Sequence, residues 1–508
     1  MIGLTPANLS GHSQPGSILQ DALDAVFPDA SLRTFPQDID YLFKINAYNL
    51  DYPVYPAAIV RPKTVEEVAA AVQCAVKAGV KVQPRSGGHS FANYSSGGVD
   101  GALVVDLVHF QKFEMDRTTW RATIGAGTLL ADVTKRLHDA GGRAIAHGTC
   151  PQVGHATIGG LGPLSRQWGS TLDHVREVEV VLADGTITRA NETLNPDLFF
   201  AIRGAAASFG IVTEFVFETH PEPASTIRYS YTFTFGDHKD FAKTFAKWQS
   251  FISTPDLDRK LATTITLTPV SMVISGTYFG TRAEYDALNI ETHLAAESLV
   301  KVDVIDDWIG AVLNWAQEEI LQLAGGIPVA FYSKSLTFTP KTLIPAAGID
   351  ALFKYIEEAH KGIVIWFVIF DLEAGAINDV PLHASAYAHR DTLFYIQTYA
   401  FGLGKISQTS HDFLTGINDT IIKAMPGVDF GAYAGYVDKY LTNGQHQYWG
   451  SNYPKLQQIK AKLDPQDVFW NPQSVRLPNG TKPLNNTFVQ RPNWWRNFFS
   501  FLSCKVHV

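Results

Sequence analysis

Only three cysteines occur in 508 residues, Cys74, Cys150 and Cys504, with no C-x-x-C pair and no zinc-ligand spacing. So sparse and odd a count excludes a disulfide scaffold and a cysteine-based metal site, and no metal is expected. No apolar run approaches the roughly 18 residues of a membrane-spanning helix. Blocks of like charge are also missing: the formal charge of −8 is spread along the chain. Without a basic patch to displace counterions, a nucleic-acid partner is excluded. The opening residues carry neither the basic nor the apolar region of an export signal. The expected compartment is therefore the cytoplasm, with secretion left open by six N-x-S/T sequons at Asn8, Asn93, Asn191, Asn418, Asn479 and Asn485. There is no internal repeat, and the dinucleotide fingerprint G-x-G-x-x-G follows no early strand.

What is present is a large apolar complement. Hydrophobic residues make up 46% and charged residues 18%, enough for a packed core, and the length calls for two domains. From residue 57 strand and helix alternate. The run 57–61 reads as a strand. Thr64 and Glu67 form a capping box ahead of Val65, Val68, Val72 and Val76 at helical spacing, with Gly79 as the stop. Residues 80–83 read as the next strand, ended by Pro84. Further strands are expected at 102–106, 121–124, 178–183 and 210–218, and a helix at 129–140. Beyond Pro223, strand-like runs at 227–235, 262–268, 271–278 and 363–370 predict an antiparallel sheet backed by helices. The helical segment 455–463 precedes Asp464 and Pro465. The aromatic stretch 493–502 is too short to cross a bilayer and is expected to dock on the protein's own surface.

Two glycine-rich loops and one cysteine carry the chemistry. Arg85, Ser86, Gly87, Gly88, His89 and Ser90 follow a strand, where adjacent glycines let backbone N–H groups approach a phosphate. Taken alone, the loop reads more readily as a tight turn, and the stretch from Gly159 to Gly162 has the same ambiguity. Cys150, within His147, Gly148, Thr149, Cys150 and Pro151, reads by itself as a small buried hydrophobe.

Together, residues 84–98 (PRSGGHSFANYSSGG), 147–154 (HGTCPQVG), 197–215 (DLFFAIRGAAASFGIVTEF) and 448–475 occur in an order that resembles the berberine bridge enzyme-like branch of the FAD-linked oxidases. The resemblance spans roughly residues 40 to 476. Within that branch it is nearest to the fungal carbohydrate oxidases, the glucooligosaccharide and chitooligosaccharide oxidases, as in residues 386–391 (AYAHRD).

The resemblance implies an α+β fold. A PCMH-type, vanillyl-alcohol-oxidase-like FAD-binding domain would cover 36–223, and an antiparallel-sheet substrate domain with helices on one side 224–445. Residues 446–476 would return to the first domain, and 477–508 form a tail. FAD would be covalently held by His89 and Cys150. Arg85, Ser86, Gly87, Gly88, Ser90, Gly148, Thr149, Val153, Gly154, Gly159, Gly160 and Asn471 would surround it, with Phe209, Gly210, Ile211 and Val212 along its pyrimidine edge. Tyr433 matches the family's base, which takes the proton of a substrate hydroxyl while hydride leaves its carbon. An ordinary phenol is a poor base at neutral pH and needs help. Asp371 matches the carboxylate that gives it, and Gln397 a substrate-facing amide.

Three departures stand out. Ile369 replaces a glutamine common in sugar oxidases, Ala432 replaces an asparagine, and about three residues are missing between Gly154 and His155. The last predicts a taut loop and an incomplete linkage at Cys150. The implied activity is an oxidase that uses molecular oxygen and releases hydrogen peroxide. Its leading substrate is the anomeric hydroxyl of a mono- or oligosaccharide, oxidised to a lactone. The rival is an apolar natural product, undergoing alcohol oxidation or oxidative ring closure. A third reading keeps the fold without the chemistry.

Overall fold

The computed structural model describes residues 15–478, apart from 155–156, 235, 297, 323–328 and 403, and without the side chains of 15–16 and 316–322. The aromatic stretch 493–502 and the sequons at Asn8, Asn479 and Asn485 lie outside the described residues.

The capping box forms as the sequence predicts: Thr64 Oγ1 accepts from Glu67 N, and Gly79 closes the helix Val65–Ala78 at φ +67°. That helix joins two parallel strands, Ala58–Val60 and Val82–Arg85, which flank Leu103–Asp106. Pro84 therefore does not end its strand but lies inside it. The strand is at the edge of its sheet, where a residue without an N–H is tolerated. A second, antiparallel sheet orders Phe113–Asp116, Arg121–Gly125, Ile211–Glu218, Val175–Val181 and Ile187–Asn191. One core unites these sheets, with Val60, Val72, Val105, Ile124, Val178 and Phe215 fully buried or nearly so.

The returning C-terminal segment belongs to that core through Leu456, Phe469 and Val475. It is pinned by Lys460, whose ammonium group has no solvent exposure. It donates to Asp464 Oδ2 at 2.6 Å, Ser208 O at 2.7 Å and Phe469 O at 2.8 Å, with Asp467 Oδ1 at 3.1 Å.

Seven antiparallel strands make the large sheet, in the order Leu299–Ile305, Thr226–Thr234, Ser271–Tyr278, Leu261–Leu267, Ile365–Leu372, Phe394–Gly402 and Ala330–Phe338. Strand periodicity divides their side chains. Trp366, Val368, Phe370 and Leu372, with Phe394, Ile396 and Ala400, join a second core with residues of the helices His238–Ile252, Ala346–Glu358 and Gln408–Ala424. The alternate residues, Ile369, Asp371, Gln397 and Tyr399, line a cavity. Among the described residues no helix is long and apolar enough to cross a membrane. Two described sequons serve the fold, since Asn93 and Asn418 are buried. The Asn93 amide donates to Asn49 O at 2.7 Å and Tyr52 O at 2.8 Å.

Candidate active site

The cavity, about 520 Å³, lies between the two glycine-rich loops and the large sheet. Its first wall is the loop after Val82–Arg85. A Cβ on Gly87 would meet Gln152 O at 2.2 Å, and one on Gly154 would meet Ser86 Oγ at 2.4 Å. These glycines are required because two backbones run against each other, and Gly88 adds a left-handed turn at φ +75°. The contact brings His89 and Cys150 together, Sγ lying 3.8 Å from Nδ1. The imidazole stacks on Tyr48 at 4.2 Å between ring centroids. Burial pushes its pKa down to about 4, so the ring is neutral and a nitrogen lone pair is available. Cys150 lies close to His89 with the shortened loop in place. Val153 O and Pro151 O accept from Leu130 N and Ala131 N, at 3.1 and 3.0 Å, which fixes the segment on the first turn of the helix Leu130–Asp139. His155, where the shortening falls, lies outside the described residues.

Ser86, Gly87, Gly88, Ser90, Gly148, Thr149, Val153, Gly154, Gly159, Gly160, Gly210, Val212 and Asn471 all line the cavity. Three expected residues do not. The Arg85 guanidinium is committed to Asp106 Oδ2 at 2.7 Å and to the carbonyls of Ile45 and Lys44. Phe209 and Ile211 are wholly buried in the first core, because they occupy inward positions. A glycine-lined cavity with a neutral imidazole and a thiol converging on one point fits a flavin nucleotide.

Tyr433 faces the second glycine loop. A Cβ on Gly159 would meet its hydroxyl at 2.5 Å, and one on Gly435 would meet its ring at 2.3 Å. Two bare backbones thus form a slot for the ring. Gly160 N donates to the phenolic oxygen at 2.9 Å. Burial raises the phenol's pKa, while the Gly160 and Leu161 N–H groups lower it.

Asp371 is not hydrogen-bonded to Tyr433. Its cross-strand partner Thr264 donates to Oδ1 at 3.1 Å, and Gln397 Nε2 donates to Oδ2. Burial pushes its pKa up to about 6 against those two bonds. Gln397 is spent on the same network, its Oε1 accepting from Tyr399 at 2.5 Å. The carboxyl whose field reaches Tyr433 is Glu373, a residue not singled out from sequence. It lies two positions beyond Asp371, so the period of two at 369, 371 and 373 was a signal that could have found it. Phe91, Tyr399 and Tyr436 were also missed. Phe91 packs on Tyr399 and Tyr436 at 5.8 and 6.1 Å between ring centroids, and Ile369 completes this apolar wall.

The resemblance at 386–391 has a structural meaning. Arg390 pairs with buried Asp173 at 2.7 Å, and His389 Nε2–H donates to Ala432 O at 2.9 Å. Neither those residues nor Ala432 lines the cavity. The departure at Ala432 therefore does not touch the site.

Residues 56–191 match the family described as FAD binding domain, and 432–476 the family described as berberine and berberine like. The FAD-linked oxidoreductase sorD of Penicillium rubens is 39% identical over 89% of this chain and 97% of its own. Xylooligosaccharide oxidase of Thermothelomyces thermophilus is 33% identical over 84% of this chain and 88% of its own. A solved glucooligosaccharide oxidase of Acremonium strictum superposes with a TM-score of 0.82 at 31% identity, covering 89% of this chain and 99% of that one. Its flavin is described as 6-S-cysteinyl, 8α-N1-histidyl FAD.

The fold and the matched domains define an FAD-dependent oxidoreductase. The chain belongs to the berberine bridge enzyme-like FAD-linked oxidases.

Proposed function

We propose that this protein oxidises an alcohol group of a small, largely apolar cyclic compound, with oxygen as acceptor and hydrogen peroxide as product. The observation that carries the substrate class is the state of Gln397. Both ends of its amide are engaged, by Asp371 and Tyr399, and Ile369 stands beside it. The amide expected to bind a sugar hydroxyl is thus occupied, and its neighbours Phe91, Tyr399 and Tyr436 are aromatic. The sugar reading rests on relatives whose names are oligosaccharide oxidases. The relative at 39% identity has no substrate in its name.

Bound FAD supplies the hydride acceptor and the path to oxygen. His89 and Cys150 would hold it at two points, since their reactive atoms converge. Tyr433, in its phenolate form with its own proton already lost to solvent, would take the hydroxyl proton at its phenolic oxygen. The Gly160 and Leu161 N–H groups stabilise the anionic form of that oxygen, as donors in a water-poor site do. Ile369 and the aromatic wall exclude water and orient the ring of the substrate.

Two measurements test this reading. Acid-precipitated protein should stay yellow, with flavin mass on a product containing peptides of both His89 and Cys150. Peroxide release should follow benzyl and hydroxybenzyl alcohols or cyclohexenols, and be slower with xylobiose and chitobiose. Oligosaccharide turnover alone would establish the sugar reading instead, and a colourless precipitate would remove the two-point linkage.

A further inference from the structure

Glu373 is more than nine-tenths buried and lines the cavity, yet its carboxyl group makes no hydrogen bond or ion pair among the described residues. Such a side chain is rare, because a buried polar group without a partner loses its hydration and gains nothing in return. Several other polar groups of the site are satisfied from within, although Thr266 Oγ1 and the Tyr94 hydroxyl, which also line the cavity, are not. Asp371 has Thr264 and Gln397. Tyr387 and Tyr395 bond each other at 2.9 Å. Tyr433 has Gly160. The buried guanidinium of Arg166 gives its donors to the carbonyls of Glu373, Leu261, Leu257 and Asp258. It therefore bonds the Glu373 main chain and leaves the side chain to the cavity.

We propose that Glu373 is the substrate-holding residue of this cavity, bonding a second oxygen atom of the alcohol that Tyr433 deprotonates. The proposal rests on the reading that the cavity takes a cyclic alcohol, and it narrows that class to compounds bearing a further hydroxyl or carbonyl group. Burial, reinforced by the negative field of Asp371, raises the proton affinity of Glu373 well above that of an ordinary carboxyl group, against the opposing field of Arg166. Burial and the Asp371 field thus favour its protonated form, in which the group donates through its O–H and accepts through its C=O. A neutral donor holds an uncharged oxygen without placing another negative charge beside the base. Glu373 lines the same cavity as Tyr433 and Tyr436, whose rings are 4.9 Å apart.

The test pairs a residue change with a ligand change. Oxidised holoenzyme is titrated with benzyl alcohol and with its ortho-, meta- and para-hydroxy derivatives, and binding is read from the shift in flavin absorbance, so that no turnover is needed. The wild type should bind at least one hydroxy derivative about tenfold more tightly than benzyl alcohol, the worth of one well-placed hydrogen bond. Glu373→Leu should erase that gap while keeping the flavin spectrum and benzyl alcohol binding. Glu373→Gln, which keeps a donor and an acceptor, should retain most of it. A gap unchanged in Glu373→Leu, or no gap in the wild type, overturns the proposal. Binding without peroxide release would instead count against the proposed function and leave the Glu373 result readable.

Discussion

At Tyr433 two opposing effects meet. Burial disfavours the phenolate, and two backbone N–H groups favour it. The sequence suggested that Asp371 would be the phenol's partner, but its carboxylate is turned to Thr264 and Gln397. Tyr433→Phe should retain the flavin spectrum and slow flavin reduction by ~10²–10⁴-fold, the range of general base catalysis. Rapid-mixing absorbance checks this, and an unchanged rate would end the assignment. Asp371 acts differently. With its pKa pushed up to about 6, it is protonated below that pH and ionised above it. In the proposed reaction the ionised form would anchor Gln397 and favour the positive charge that develops on the carbon losing hydride. Reduction should therefore accelerate as pH rises through about 6, and Asp371→Asn should lose that limb. A limb that survives in Asp371→Asn must come from another group.

Elements place these residues through simple periodicities. On the strand Ile365–Leu372, alternate side chains go to the helices or to the cavity, so Ile369 and Asp371 share a face by backbone geometry alone. Cross-strand register then sets Thr264 opposite Asp371 and Gln397 opposite Ile369. The helix Val65–Ala78 was legible to its caps, whereas Pro84 misled, because its effect depends on whether its strand is central or at an edge. The second glycine loop is the element most exposed to test. Gly159→Ala puts a methyl group into the Tyr433 hydroxyl, while His89 and Cys150 remain in place on other segments. The variant should keep covalent flavin and lose most of its activity. Loss of the flavin as well would show that the loop serves the cofactor before the base.

Across the whole molecule, the site is assembled from both cores and from the C-terminal return. Lys460 is the clearest link in that return, since one wholly buried ammonium group bonds Asp464 and two carbonyls and lies 3.1 Å from Asp467. Lys460→Met would leave Asp464 buried without its counter-charge and Asp467 with Lys81 alone, 3.7 Å away, a change that costs about 3–5 kcal/mol when one partner of a buried pair is removed. Denaturant unfolding of the flavin-loaded protein should show that loss. A stability within about 1 kcal/mol of wild type would mean that water or main-chain donors replace the lysine.

The sequence by itself determined the local matters: the capping box, the strands and their two-residue alternation, and the ordered motifs that mark an FAD-linked oxidase. It also brought His89, Cys150, Asp371 and Tyr433 forward, because motif spacing is a property of the chain. Partnership was decided only by the tertiary structure. Arg85, Phe209 and Ile211 turn away from the cavity, Gln397 is consumed by its neighbours, and Glu373 is left facing the cavity without a bond. Those outcomes depend on which groups arrive from segments far apart in sequence, Thr264 against Asp371 or Gly160 against Tyr433. A hydrogen bond has a reach of about 3 Å, and only packing brings such distant residues within it.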